Sequence, residues 1–380
     1  MNICFVMLSL LSVIFLSYEC NAVQESGFDY IEEHGFAYAH VKGLQGNSEK
    51  WGLGVVDNSL EFHETFYDAM IGGYFHESPR NKSNHMTEII GSFIGTKGVY
   101  PSPTGDATTF NFVGGTIPGG KNSVFVYDVN RELMRASPAI KAGLSKVHPL
   151  GKGILETISL QNNILSLSQS LHELTCKEED YHLDPDFIEA LSDALAENDS
   201  VVVFAAGNKG LSIESNFYPY FKDLADDKFI RDRMLIVEAL RPLKNEEIVD
   251  DFESLRNTDK DWEKYSFLNE KPIRLAEYSS FTSTPKLADL TVCAYGSDFL
   301  LPSSTNNFSK RSGTSYAAPM VAAACLLASE YYENMYGNIS SVKLVRKIKE
   351  SAIPLKLPNF TNNYFGHGFI NIKKFMETIG

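Results

Sequence analysis

The sequence predicts an α/β fold of three layers, a mostly parallel sheet with helices on both faces. Two observations lead there. Short apolar runs rich in Val, Ile and Leu recur near residues 53–56, 123–127, 164–168, 200–205, 234–238 and 290–294, and helical stretches separate them. Parallel neighbours need crossover connections of that kind, and the crossovers cover both faces of the sheet. A hydrophobic fraction of 43% with 22% charged residues is ordinary for a globular chain. No repeat or low-complexity tract points to a solenoid or to disorder.

In chain order, Trp51-Gly52-Leu53-Gly54-Val55-Val56 reads as a strand that ends in Asp57-Asn58-Ser59. That places a carboxylate at the C-terminal end of a strand, where open α/β sheets put their sites. Asp-Asn-Ser is equally good turn chemistry, so Asp57 alone carries little. From Asn84 to Gly95 apolar residues fall at helical spacing after a polar start, with His85 at the mouth of the helix. A histidine there can face a cleft while the Ile side packs, although an isolated histidine more often sits at a surface.

Ser200-Val201-Val202-Val203-Phe204-Ala205 is a run suited to a strand buried on both faces, and it leads to Asn208. A side-chain amide at such a strand end can donate to an oxyanion; Asn208-Lys209-Gly210 also reads as a plain turn. The last element is Gly313-Thr314-Ser315-Tyr316-Ala317-Ala318-Pro319, followed by small apolar residues to Ala328. A hydroxyl at an alanine-rich helix start meets free backbone N–H groups and the positive helix end, which makes Ser315 a candidate nucleophile. Gly-Thr-Ser is also an ordinary cap, and a free hydroxyl is a poor nucleophile without a base. Pro319 is expected to be tolerated near the helix start, and Ala322, Ala323 and Ala324 to permit close packing.

Asp57, His85, Asn208 and Ser315 stand in the order acid, base, amide, nucleophile. With that order and those local patterns, the chain resembles the subtilisin family (subtilases) of serine peptidases. Chymotrypsin-like enzymes run His, Asp, Ser and α/β-hydrolases run Ser, Asp, His, and no G-x-S-x-G elbow surrounds Ser315. Met234 to Leu240, Tyr278-Ser279-Ser280-Phe281-Thr282-Ser283, Leu290 to Gly296 and Gly366-His367-Gly368-Phe369-Ile370-Asn371 resemble further family segments. The resemblance implies a subtilisin-like fold and a serine endopeptidase acting on protein or peptide substrates. It assigns Asp57, His85 and Ser315 as the triad and Asn208 to the oxyanion hole, and lays substrate beside Ser168, Gln169 and Ser170. It requires no cofactor and allows a structural calcium, although no D-x-[DN]-x-[DN]-G loop is present.

Four departures bear on the resemblance. Met86 follows the histidine where the family usually has glycine, and Ser170 replaces a common glycine beside the first specificity pocket, which its Cβ could narrow. The charged segment from Lys244 to Lys271 reads as a surface insertion between Asn208 and Ser315. Asp57 also follows the N-terminal apolar segment too closely for the usual inhibitory prodomain.

That apolar segment, Ile3 to Leu16, has the length of a signal-peptide core and falls short of the ~20 residues of a membrane span. Residues 1–22 are expected to be a signal peptide and 23–380 a single peptidase domain, secreted or periplasmic, without stable membrane association afterwards. A net charge of −14 repels phosphate backbones and anionic headgroups, so nucleic acid is not an expected partner. A monomer is expected. The acidic run Asn245 to Glu253 could favour basic peptides or simply face water.

Without the signal, Cys176, Cys293 and Cys325 remain, an odd number that supports no disulfide framework; Cys293 and Cys325 read as buried. His172 and Cys176 lack a third metal ligand, and His63-Glu64 lacks the second histidine of a zinc motif. Two alternatives stay open: a serine esterase, since acyl transfers share this chemistry, and a catalytically silent exported binding protein.

Overall fold

The computed structural model describes residues 30–379 apart from 59, 62, 64–65, 67–69, 75–83, 95–97, 102–108, 113–122, 130–147, 161–162, 175–181, 216–217, 244–264, 270, 305–306 and 356–362. The expected signal peptide, Cys176 and the acidic run 245–253 lie outside the described residues.

The strands in chain order are β1 (Leu53–Asp57), β2 (Met70–Tyr74), β3 (Gly98–Pro101), β4 (Thr109–Phe112), β5 (Ser123–Asp128), β6 (Ile164–Leu167) and β7 (Val201–Ala205). They continue with β8 (Met234–Pro242), β9 (Tyr265–Leu268), β10 (Lys271–Leu275), β11 (Thr291–Tyr295), β12 (Phe299–Ser304) and β13 (Asn307–Arg311). Strands β2, β5, β1, β6, β7, β8 and β11 lie side by side in that order, every pair parallel. The β3–β4 and β12–β13 pairs are separate antiparallel ribbons.

Alternation along the strands sorts side chains to two faces, as a period of two requires. Leu53, Val55, Val201, Val203, Leu235 and Val237 join one buried cluster. Val56, Leu165, Val202, Phe204, Met234 and Ile236 join the other. Because both faces are covered, these strands read in the sequence as unbroken apolar runs instead of alternating ones.

The first cluster is closed by helices α1 (His85–Phe93), α5 (Thr314–Tyr336), α6 (Ser341–Ser351) and α7 (Ile372–Ile379), through Ile89, Phe93, Leu344 and Phe375. The second is closed by α2 (Pro149–Ser159), α3 (Pro185–Glu197) and α4 (Tyr220–Asp226), through Ile154, Leu195 and Phe221. Proline at the first position and a capping side chain start α2 and α3: His148 accepts from Leu150 N–H at 3.2 Å and Asp184 from Asp186 N–H at 2.9 Å. Helix α5 is buried from Thr314 to Glu330, and its alanines let it lie close against β6, β7, β8 and β11.

The sheet also carries features the apolar runs do not announce. Strand β2, with Gly72 and Gly73, adds an edge next to β5. The segment expected as a surface insertion returns to the sheet at its C-terminal end. There β10 pairs antiparallel with Leu240–Pro242 of β8, past the point where β7 stops, and β9 pairs with β10. Within the segment Tyr265 and Leu268 of β9 are buried, so that part of it belongs to the core. Cys293 and Cys325 are buried free thiols, and burial pushes the Cys325 thiol up to about 12.

His34 marks where the chain before β1 docks onto the sheet. Fully buried, its ring packs on Phe36, Tyr295 and Phe369, donates from Nδ1 to Tyr30 O at 2.7 Å and accepts at Nε2 from Tyr295 N–H at 3.4 Å. Those roles fit one neutral tautomer. Burial pulls its pKa down to about 4, against the smaller opposing effect of the Tyr30 carbonyl. The unfolded chain takes up a proton near 6.5, so this group's stability is present above 6.5 and lost as pH falls toward 4. The loss amounts to about 3 kcal/mol at most. We expect wild-type unfolding free energy to fall more steeply over that window than in His34→Gln; equal slopes in urea titrations would refute the assignment.

Candidate active site

Strand β1 ends at Asp57, which is fully buried. A buried carboxylate stays ionised only if donors replace water. Asp57 Oδ1 accepts from Asn58 N–H at 2.6 Å and from Gln169 Nε2 at 2.5 Å, and His85 Nδ1 lies 2.9 and 2.8 Å from its two oxygens. The imidazole is therefore held by its Nδ1 side. Burial lowers the His85 pKa, but the charge and hydrogen bond of Asp57 outweigh it and leave the net value above the ordinary 6.5. Met86 turns away from the ring into the core, fully buried, and its N–H donates to Asn58 O at 3.3 Å.

Helix α5 begins where β6 and β7 end. Gly207 N–H donates to Thr314 Oγ1 at 3.1 Å, and Thr314 donates through both its hydroxyl (3.0 Å) and its N–H (2.8 Å) to Asn208 Oδ1. With Oδ1 committed, the Asn208 Nδ2 donor is left for the pocket. Tyr316 N–H is bonded to Gly313 O at 3.0 Å, while Ser315 N–H, in the first turn of a helix that starts at Thr314, has no helical acceptor.

Pro319 lies beyond the first turn, deeper than the tolerated position expected from the sequence. Lacking an N–H, it leaves the carbonyl four residues earlier, that of Ser315, without its helical partner. Ser168 Oγ supplies the missing bond at 2.9 Å. The Ser315 hydroxyl itself faces Ser168 O at 3.5 Å, a long contact, and is not paired with His85. His85 stands beside this turn, its ring centroid 6.0 Å from that of Tyr316.

Helices α1 and α5 are tied by a buried carboxylate. Glu88, one turn after His85, accepts from Tyr316 Oη at 2.6 Å and from Arg311 Nε at 2.6 Å. Burial, followed by the bond to Glu88, pushes the Tyr316 phenol upward.

A pocket of about 180 Å³ opens beside Ser315 and Asn208, walled by Ser170, Gly207, Tyr218 and Tyr220. Gly207 has φ +104°, and a Cβ there would come within 2.5 Å of Tyr218 Oη, so the wall needs glycine. Of the segment expected to carry substrate, Ser170 lines the pocket, while Ser168 and Gln169 also do so but direct their polar atoms to Ser315 and Asp57. Those two contacts, and the Glu88 tie, were not foreseen from sequence. Among the described residues no group of three or more His, Cys, Asp or Glu side chains could hold a metal ion.

The profile of the Subtilase family matches residues 22–368. The chain belongs to the subtilase family. Solved structures agree on the fold. The prenylagaramide maturation protease PagA superposes with a TM-score of 0.56 at 17% identity, over 91% of this chain and 99% of that one. For the patellamide maturation protease PatA the TM-score is 0.54 at 15% identity, over 87% and 97%. The PatG macrocyclase in complex with peptide gives 0.57 at 15% identity, over 91% and 95%. No curated protein sequence matches significantly.

Removing the Ser168 hydroxyl leaves the buried Ser315 carbonyl without a partner, at a cost of about 1–3 kcal/mol. We expect Ser168→Ala to lose that much unfolding free energy, and Ser168→Ala combined with Pro319→Ala, which restores the helical N–H, to recover part of it. A double variant no more stable than the single one would contradict this account of Pro319.

Proposed function

We propose that this subtilase is a serine endopeptidase that hydrolyses peptide bonds through an acyl-enzyme, with Asp57, His85 and Ser315 as its triad. The observation that carries the reading is the convergence of a buried Asp57 bonded to Nδ1 of a half-buried His85, the first turn bearing Ser315, and an Asn208 amide oriented with its donor free. Secretion or periplasmic export is part of the proposal and rests on the apolar Ile3 to Leu16 segment. Among the described residues no helix is long and apolar enough to cross a membrane.

In this mechanism the Ser315 hydroxyl rotates from Ser168 O toward Nε2 of neutral His85 once substrate is bound; catalytic hydrogen bonds commonly tighten only in the complex. Ser315 Oγ attacks the scissile carbonyl as its proton passes to His85. The imidazolium then protonates the leaving amine, and water, deprotonated by the same ring, releases the acid product. Asp57 fixes the tautomer with Nε2 free and stabilises the cationic ring. Asn208 Nδ2 and Ser315 N–H receive the oxyanion, and losing one such donor generally costs about 3 kcal/mol of transition-state stabilisation. Substrate lies extended along Ser168 to Ser170, adding backbone hydrogen bonds in the manner of an extra strand.

Ser315→Ala should abolish casein hydrolysis and labelling by a fluorophosphonate probe while thermal unfolding stays nearly unchanged. Labelled wild-type protein that cleaves esters and no peptide would favour an esterase; wild-type protein that neither labels nor cleaves would favour a silent binding protein.

The base works only when neutral, so kcat/KM should fall tenfold per pH unit as pH drops below the His85 pKa. Because Asp57 raises that pKa, the limb is expected above 6.5, not at the ordinary histidine value. A rate that stays flat down to pH 6 would exclude His85 as the base.

A further inference from the structure

The pocket beside Ser315 carries a charge of its own. Of the side chains that line it, Lys209 is the one Lys, Arg, Asp or Glu among the described residues. Its backbone is held in place, with the N–H 3.4 Å from Ser280 Oγ and bonded to the Tyr218 phenol. The side chain is exposed and forms no ion pair with a described carboxylate. Five other cations of this chain have a carboxylate partner: Lys50 with Asp199, Lys271 with Glu33, Lys286 with Asp226, Arg241 with Glu277 and Arg311 with Glu88. In a protein with 48 acidic and 34 basic residues, Lys209 differs from the other exposed lysines in lining the pocket beside Ser315.

The rest of the wall carries no Lys, Arg, Asp or Glu; Ala205, the His172 ring and hydroxyl and phenol side chains line it. Ser170 accepts from His172 N–H at 3.4 Å and faces the Tyr220 phenol, and Tyr218 receives the Ser280 hydroxyl at 3.0 Å. Hydroxyl and phenol groups can donate to a carboxylate, and the wall presents no anion to repel one. The space, about 180 Å³, accommodates a side chain the size of glutamate.

We propose that this pocket selects an acidic side chain, glutamate before aspartate, on the residue whose carbonyl Ser315 attacks, with Lys209 as the specificity-determining group. The assignment rests on the peptidase reading above. A net charge of −14 disfavours acidic peptides in general, so the preference comes only from the one side chain that reaches the ammonium. The pairing is charge-assisted and partly withdrawn from water when the substrate backbone closes the pocket mouth. Lysine at the same substrate position would face an unscreened like charge.

The test uses the full chain and four fluorogenic peptides that differ only at the residue before the scissile bond, which is Glu, Gln, Leu or Lys. Glu and Gln have nearly the same size, so their ratio isolates charge. For the wild type, kcat/KM should favour Glu over Gln by about tenfold, within the range one well-placed contact supplies. That ratio should shrink toward one in 1 M salt, where screening acts within about 3 Å. Lys209→Gln should bring the ratio near one at low salt, Lys209→Arg should keep it above one, and Lys209→Glu should turn the preference toward the Lys peptide. A merely structural role for Lys209 would lower all four rates together and leave the ratio unchanged.

Wild-type turnover with fluorophosphonate labelling but no preference for Glu over Gln overturns the pocket assignment alone. So does a preference that survives in Lys209→Gln. Absence of both labelling and turnover removes the peptidase reading and this proposal with it.

Discussion

The first turn of α5 is bonded at once to the ends of two neighbouring strands, and the geometry of the site depends on that junction. Pro319 removes one helical N–H, which exposes the Ser315 carbonyl, and Ser168 from the end of β6 fills the position. Asn208, past the end of β7, takes up two donors of Thr314 with a single oxygen. Each such bond is worth about 1 kcal/mol net, but a buried group left unpaired costs more, so the set fixes position more than it adds stability. What the junction leaves over is as informative as what it uses. The Ser315 N–H and the Asn208 Nδ2 are donors without assigned partners, on the side where the pocket opens.

Buried charge follows the same economy of partners. The chain carries a large excess of acid, yet the carboxylates drawn into the structure near the site have dedicated donors. Asp57 has three, from Asn58, Gln169 and His85; Glu88 has two, from Arg311 and Tyr316. These bonds also carry mechanical information. Gln169 ties the end of β6 to the end of β1, and Glu88 ties α1 to α5, so the acid, the imidazole and the first turn of α5 cannot shift independently. Elements distant in sequence are thereby held to within hydrogen-bond tolerance.

Much of this was legible in the sequence, for definite reasons. Strands such as Val201–Ala205 and Leu53–Asp57 were visible because burial on both faces makes them continuous apolar runs. Strand β2 was not, since its glycines have no side chains to signal a face, and the β9–β10 hairpin was hidden behind a charged stretch. Asp57, His85, Asn208 and Ser315 each sit at an element boundary with its own local pattern, and their order pointed to the family. Gln169, Ser168 and Glu88 had no such signal. Their partners lie 112, 147 and 228 residues away, and only the register of β6 beside β1 and the crossing of α5 under α1 bring them together. Gln169 and Ser168 were read as substrate-facing because a strand end displays its backbone to a peptide, a reading that leaves the side chains unassigned.

Two imidazoles, His34 fully buried and His85 half-buried, show how finely such partners set chemistry. Burial alone lowers the pKa of each. His34 meets a neutral carbonyl at Nδ1, whose dipole cannot offset the loss of hydration, and the ring stays neutral and inert within an aromatic cage. His85 meets a full carboxylate at the same atom and at nearly the same distance, and the balance reverses. What separates the two shifts is the Asp57 carboxylate, placed at the end of β1 by a parallel strand and held by the donors of Asn58 and Gln169, together with the lesser burial of His85.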